Sequence, residues 1–173
     1  GKLKLKINKE KTTITRLNQV KYLGYGFYRI KGKCRFRVHP KSISKLKDKL
    51  RVATGRSNGM SIEGRKTKLN QIIRGWVQYF KLADMKTVMQ SIDEWLRRRI
   101  RMITWKRWKK VKTKFENLQK LGVAKEKAWE WANTRKSYWH TANSWILSTT
   151  LTNARFEKQG YLSLLKYYLE VRV

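Results

Sequence analysis

Acidic side chains are scarce in this 173-residue chain: eleven Asp and Glu stand against forty-three Lys and Arg, for a formal net charge of +32. The eleven are scattered, and no two sit in a context that suggests a metal-binding dyad. Asp93 and Glu94 are adjacent, so on a helix they point about 100° apart and read as surface charges. The one cysteine, Cys34, excludes an internal disulfide or an all-cysteine metal site. The two histidines, His39 and His140, leave no zinc-ligand spacing. Apolar runs stop at three or four residues, too short to span a membrane. The apolar core of a signal peptide is missing. No GxSxG and no glycine loop ending in Gly-Lys-Ser/Thr occurs. On its own the chain does not read as a complete enzyme, and Gly1 in place of Met reads as a processed or cleaved start.

What is present is positive charge beside aromatics: eight Trp, eight Tyr and five Phe. Disordered basic tails are aromatic-poor, so this composition describes a folded body with a cationic surface. The partner implied is a polyanion. Nucleic acid leads, because each phosphate neutralised releases condensed counterions. Anionic lipid is the weaker choice, since the charge is spread along the chain rather than gathered in one cluster.

Patterning divides the chain into three zones. Residues 1–39 read as β, with Leu3, Leu5 and Ile7 alternating with lysines. Thr12–Thr15 and Gln19–Tyr28 read as further strand, and Arg29–Lys33, with Gly32, as a hairpin turn. Residues 40–112 read as helices. Ser42 or Ser44 would cap the first. A second carries the stripe Leu69, Ile72, Ile73, Trp76 and Phe80. Asp84 would cap a third, running through Val88, Ile92, Leu96, Ile100 and Ile103 for more than about twenty residues. Residues 113–173 read as shorter helices, with Gly122 just past one end, Ala124–Ala132 as another, and a last one carrying Leu162, Leu165 and Leu169. The fold class expected is α+β, mainly α.

The densest binding candidate is Arg97–Lys114, in which ten of eighteen residues are Lys or Arg. Arg97, Arg98, Arg99, Arg101, Lys106, Arg107, Lys109 and Lys110 are its leading cations. Helical spacing would keep Ile100, Ile103 and Val111 on one side and spread the cations around the other, along a phosphate backbone. So many like charges repel one another and call for a compensating partner. Trp76 and Trp95 read as core. Trp105 and Trp108 could stack on bases or pack under arginine stems. Tyr138 and Trp139, which follow Arg135 and Lys136, lean towards nucleic-acid contact.

Leu69–Phe80, LNQIIRGWVQYF, resembles the maturase-specific segment, the X or thumb domain, of reverse transcriptases encoded by group II introns. Tyr22–Phe27, YLGYGF, resembles the family's primer-grip hairpin. Leu3–Thr12, LKLKINKEKT, resembles the stretch after its catalytic YxDD strand. Trp129–Tyr138 and Leu151–Leu165 resemble the region beyond the thumb. The resemblance covers nearly the whole chain. It departs where YxDD, its partner aspartate, the fingers, most of the palm and the His/Cys-rich endonuclease module would stand.

The resemblance implies the end of a palm with a primer grip (1–39), a helical thumb bundle (40–112) and a basic C-terminal DNA-binding region (113–173). It makes Lys11 a candidate general acid towards pyrophosphate, or a plain phosphate contact. Tyr22, Leu23, Gly24 and Tyr25 would line the primer grip, with Gly24 and Gly26 admitting a nucleic-acid strand close to the backbone. Arg65, Lys66, Lys68 and Arg74 would face template–primer or intron RNA. The implied partners are intron RNA, an RNA template–DNA primer duplex, target DNA, and the missing fingers and palm, covalent or separate; no membrane is implied. No cofactor is expected on this chain. The parent polymerase would use Mg2+ held by residues outside it. The compartment expected is the bacterial cytoplasm, or an organelle in a eukaryote. Two rival readings are a stand-alone RNA-binding splicing factor and a polymerase in a defence or CRISPR-associated system.

Overall fold

A computed structural model describes residues 14–172. Leu3–Ile7 and Lys11 lie outside the described residues. A 3-10 turn at Leu17–Gln19 leads into an antiparallel sheet of β1 (Lys21–Tyr22), β2 (Tyr25–Ile30) and β3 (Lys33–Val38), in that order. Two two-residue turns join the strands. Leu23 and Gly24 have φ of 50° and 85°, and Lys31 and Gly32 have 47° and 78°. Positive φ at both central positions is the primed turn that matches strand twist. The Lys31–Gly32 turn falls where glycine signalled it. The Leu23–Gly24 turn splits what reads in sequence as one strand.

Nine helices follow among the described residues. They are α1 (Pro40–Ala53), α2 (Ile62–Phe80), α3 (Lys86–Arg107), α4 (Val111–Lys120), α5 (Lys125–Ala132), α6 (Tyr138–Thr141), α7 (Trp145–Thr150), α8 (Asn153–Lys158) and α9 (Leu164–Val171). The fold is α+β and mainly α, as composition and patterning predict.

The helix starts differ from the predicted ones. Pro40 opens α1, and His39 is its cap, accepting from the Lys41 N–H at 3.2 Å. Proline suits this place because its missing donor would be unpaired anyway. Ser42 lies inside the helix and donates instead to the Gly24 carbonyl at 3.0 Å. Asp84 does not cap α3. Its carboxylate is taken by the Tyr28 hydroxyl (2.6 Å), Arg172 (2.6 Å) and Arg35 (3.5 Å), which ties the sheet to the end of α9.

α3 is the central element. Met89, Ile92, Leu96, Ile100 and Trp105 are buried on it and share one core cluster with Leu69, Ile73 and Val77 of α2 and Leu164 and Tyr168 of α9, the helix that packs on both α2 and α3. One buried cluster runs from Val38 to Tyr168. The α9 stripe is displaced from the predicted one: Leu164 and Tyr168 face inward, while Leu169 is exposed. The Tyr168 hydroxyl donates to the Ala83 carbonyl at 2.9 Å, so the aromatic outcompetes the leucine for the core.

Two polar side chains lock α9 in place. The Asp93 carboxylate accepts from the N–H groups of Leu164 (2.9 Å) and Leu165 (2.8 Å) and from the Ser163 hydroxyl (2.6 Å). A carboxylate at a helix N-terminus satisfies orphan donors and meets the positive end of the dipole. Asn70 on α2 donates to the Gly160 carbonyl (2.7 Å) and accepts from the Leu162 N–H (3.0 Å). Gly122 and Gly160 end α4 and α8 with positive φ. In each case the glycine and the following residue donate back into the helix, the pattern of a Schellman stop.

Candidate nucleic-acid interface

The cations of Arg97–Lys114 do not form one outward face. α3 ends at Arg107, Trp108 leaves helical geometry (φ −78°, ψ 64°), and α4 starts afresh at Val111. Val111 therefore does not continue the Ile100–Ile103 face, and it is exposed.

The arginines of α3 turn towards carbonyl oxygens. Arg98 donates twice to the Trp139 carbonyl, at 3.3 and 3.1 Å, with its guanidinium 3.9 Å over the Trp139 ring. Arg99 reaches Thr54 Oγ1 at 2.5 Å and the carbonyls of Arg51 and Thr54. Arg101 donates to the Leu151 carbonyl at 2.9 Å and to Asn153. Arg97 is 3% exposed and lies beside the Phe156 ring. Burial pulls the guanidinium pKa of Arg97, Arg99 and Arg101 below the ordinary value, partly offset at Arg97 by Asp93. Arg97 is buried with one guanidinium nitrogen unpaired among the described residues, whereas Arg98, Arg99 and Arg101 clip neighbouring segments to α3. The helical pattern alone did not distinguish them from free cations, because their partners lie 41 or more residues away in sequence.

Arg65 is also inward. It donates to the Ala53 carbonyl (3.2 Å) and to Asn58 (2.7 Å), which holds the loop between α1 and α2. Lys66 pairs with Glu63 at 2.6 Å. Lys106 donates to the Arg56 carbonyl at 3.0 Å. The exposed remainder of the candidates is Lys68, Arg74, Arg107, Lys109, Lys110, Arg135 and Lys136.

The hairpin positions divide in the same way. Tyr22 and Leu23 are exposed at the β1–β2 turn, whereas Tyr25 is half-buried and donates to the Tyr79 carbonyl at 2.5 Å. Tyr79 returns a bond to the Leu23 carbonyl at 2.9 Å, so the turn is fastened to the end of α2. The space beside Gly24 is filled from within. A Cβ there would stand 2.9 Å from Ser42 Oγ and 3.1 Å from Phe80, and one at Gly26 would meet Arg37 at 3.2 Å. The close approach that the two glycines permit is therefore to the protein's own helices and sheet.

The tryptophans sort as follows. Trp105 is core, 1% exposed, and Trp76, Trp95, Trp108 and Trp139 are half-buried. The exposed indoles are Trp129 and Trp145, which sequence reading had not singled out. Each meets another aromatic edge-on, Phe115 and Trp131 respectively. No pattern in sequence separates an exposed tryptophan from a buried one on helices this short.

The loop between α1 and α2 and the end of α3 enclose a groove rimmed by Arg56, Lys106, Arg107 and Lys109. Glu63 is its one acidic lining residue, already paired with Lys66. Among the described residues, no three His, Cys, Asp or Glu side chains come together as a metal-ligand group. Among them too, no helix is long and apolar enough to cross a membrane.

A helical body with a cationic rim and few acidic neighbours has the electrostatics that suit a polyanion. Residues 43–122 match the family described as group II intron, maturase-specific domain, so that stretch of the chain is similar to the maturase-specific domain of group II intron proteins. The match runs from α1 to the end of α4. Maturases of this kind act in group II intron splicing, with intron RNA as the partner. No curated protein sequence matches the chain.

Proposed function

We propose that this chain grips structured RNA through its exposed cations, and that in the assembled protein the same surface holds an RNA template–DNA primer duplex. The observation that carries the reading is the separation of the basic residues into two sets. One set is clipped to carbonyls and builds the body; the other, including Arg107, Lys109 and Lys110, is left facing solvent beside a groove. Free cations on a rigid helical frame give sequence-independent backbone contacts, which position a duplex without reading it.

The primer-grip role falls to the β1–β2 turn, where Tyr22 and Leu23 project from a hairpin fixed by Tyr25 and Tyr79. Arg135 and Lys136, in the link between α5 and α6, would take target DNA during intron mobility. Polymerisation itself would belong to a palm outside these residues, with its aspartates and Mg2+. The expected compartment is that of the intron transcript, the bacterial cytoplasm or an organelle.

The test is binding of the chain to a fluorescent intron-derived RNA across salt concentration. With six to ten phosphate contacts, affinity should fall roughly a thousandfold or more between about 50 and about 200 mM salt. Affinity that does not change with salt would refute the electrostatic grip.

A further inference from the structure

Behind the basic groove the helical body encloses a second space. It is a cavity of about 480 Å3 between α2, α3, α4 and α8, and it shares Ile62, Arg65, Ile103 and Arg107 with the groove. That volume lies in the range of about 300–1,000 Å3 typical of small-molecule sites. Its walls are aromatic and aliphatic, with Trp108, Phe156 and Tyr161 among them. Asn117, Gln159 and Tyr161 are among its polar lining residues. Asn117 uses its amide N–H on the Thr113 carbonyl (2.7 Å), which leaves the amide oxygen as an acceptor. Gln159 is exposed on the lining and makes no side-chain hydrogen bond among the described residues. The Tyr161 hydroxyl likewise has no partner among the described residues, on a side chain only 8% exposed. Burial pushes the phenol pKa up, so the group stays a donor.

We propose that this cavity receives a single nucleobase turned out of the RNA, with the flanking phosphates held on the rim by Arg56, Arg107 and Lys109. The inference rests on the RNA-binding reading above and adds a base-sized site to it. A phosphate site alone would have no use for an aromatic chamber, and an apolar ligand would have no use for the cationic rim. A nucleotide needs both: a stacking face, amides that can donate and accept along a base edge, and cations for its backbone. Arg65 keeps the rim in place by bonding the Ala53 carbonyl and Asn58, so the entrance is formed before RNA arrives. Turning a base out is least costly when that base is already unpaired, so the site favours a bulged or looped nucleotide over a paired one.

The experiment measures anisotropy of two fluorescent RNA duplexes, identical except that one carries a single unpaired adenosine. The 173-residue chain should bind the bulged duplex about tenfold more tightly, the order of one base-stacking contact. Thr113→Phe fills the chamber from α4, and Gln159→Trp fills it from its exposed edge. Each should abolish the preference while leaving affinity for the paired duplex within about twofold, a readout that also certifies the variant's fold. Lys109→Gln should weaken both duplexes together. Equal binding of the two duplexes by the unaltered chain would overturn the base site and leave the RNA grip standing, as would a preference that survives Gln159→Trp. Failure to bind either duplex at low salt would overturn both.

Discussion

The guanidinium of Arg98 lies 3.9 Å above the ring of Trp139 and donates two hydrogen bonds to that residue's carbonyl. Two residues that sequence reading assigned to nucleic acid are thus engaged with each other, joining α3 to α6. Arg98→Ala should cost about 2–3 kcal/mol of stability, since charged hydrogen bonds contribute about 1.5–3 and cation–π contacts add to them. Arg98→Lys should recover only part, because an ammonium cannot stack and fork in the same way. Lys109→Gln with Lys110→Gln should leave the melting temperature unchanged and weaken RNA binding. Thermal denaturation of the three variants beside RNA titration checks the assignment.

Asp93 holds the start of α9 by three hydrogen bonds from a helix distant in sequence. Asp93→Ala should destabilise the chain by about 1–2 kcal/mol, the usual range for a lost N-cap. Hydrogen exchange should locate the effect at the amides of Leu164 and Leu165. Glu94→Ala, on the neighbouring exposed position, should change stability by less than about 0.5 kcal/mol.

The Asp84 clasp gives the sheet a pH dependence. The Tyr28 hydroxyl, and then Arg172 and Arg35, hold the carboxyl below its ordinary value. A depressed carboxylate contributes stability that is complete above the ordinary value and is lost as pH falls through the folded one. The denaturation midpoint of the unaltered chain should therefore exceed that of Asp84→Asn at pH 7. The gap should close below about pH 4. A gap independent of pH would mean that the carboxylate charge is not what fastens the sheet.

Trp105 and Trp145 should behave oppositely on truncation. Trp105 is 1% exposed in the core and Trp145 68% exposed. Trp105→Ala should cost about 3–5 kcal/mol, as large buried aromatics do. Trp145→Ala should be close to neutral in thermal denaturation.

These contrasts also show what could be read from the chain before its structure. The α2 stripe was legible because an amphipathic helix advertises its buried face every three or four residues, and Leu69, Ile73 and Phe80 are buried as patterned. Gly32 and Gly122 marked a turn and a helix end, and each adopts a positive φ there. The break at Trp108 carried no proline or glycine to announce it, so Arg97–Lys114 read as one continuous helix. The inward arginines were illegible for a different reason. Arg98, Arg99 and Arg101 find their partners 41 to 52 residues away, and nothing local separates a guanidinium bound to a carbonyl from one awaiting a phosphate. Asp93 read as a bland surface charge on the same grounds. The candidate site was therefore legible in its chemistry, a cationic surface with aromatics, but not in which cations supply it.

The most direct test of that division is the salt dependence of RNA binding by a variant in which only exposed cations are changed: Lys68→Gln, Arg74→Gln, Lys109→Gln and Lys110→Gln together. Each phosphate contact removed should lower the slope of log affinity against log salt by about one. A slope shallower by roughly three to four units, with an unchanged melting temperature, is the expected result. An unchanged slope would contradict the account, because it would place the phosphate contacts on cations the fold has already claimed.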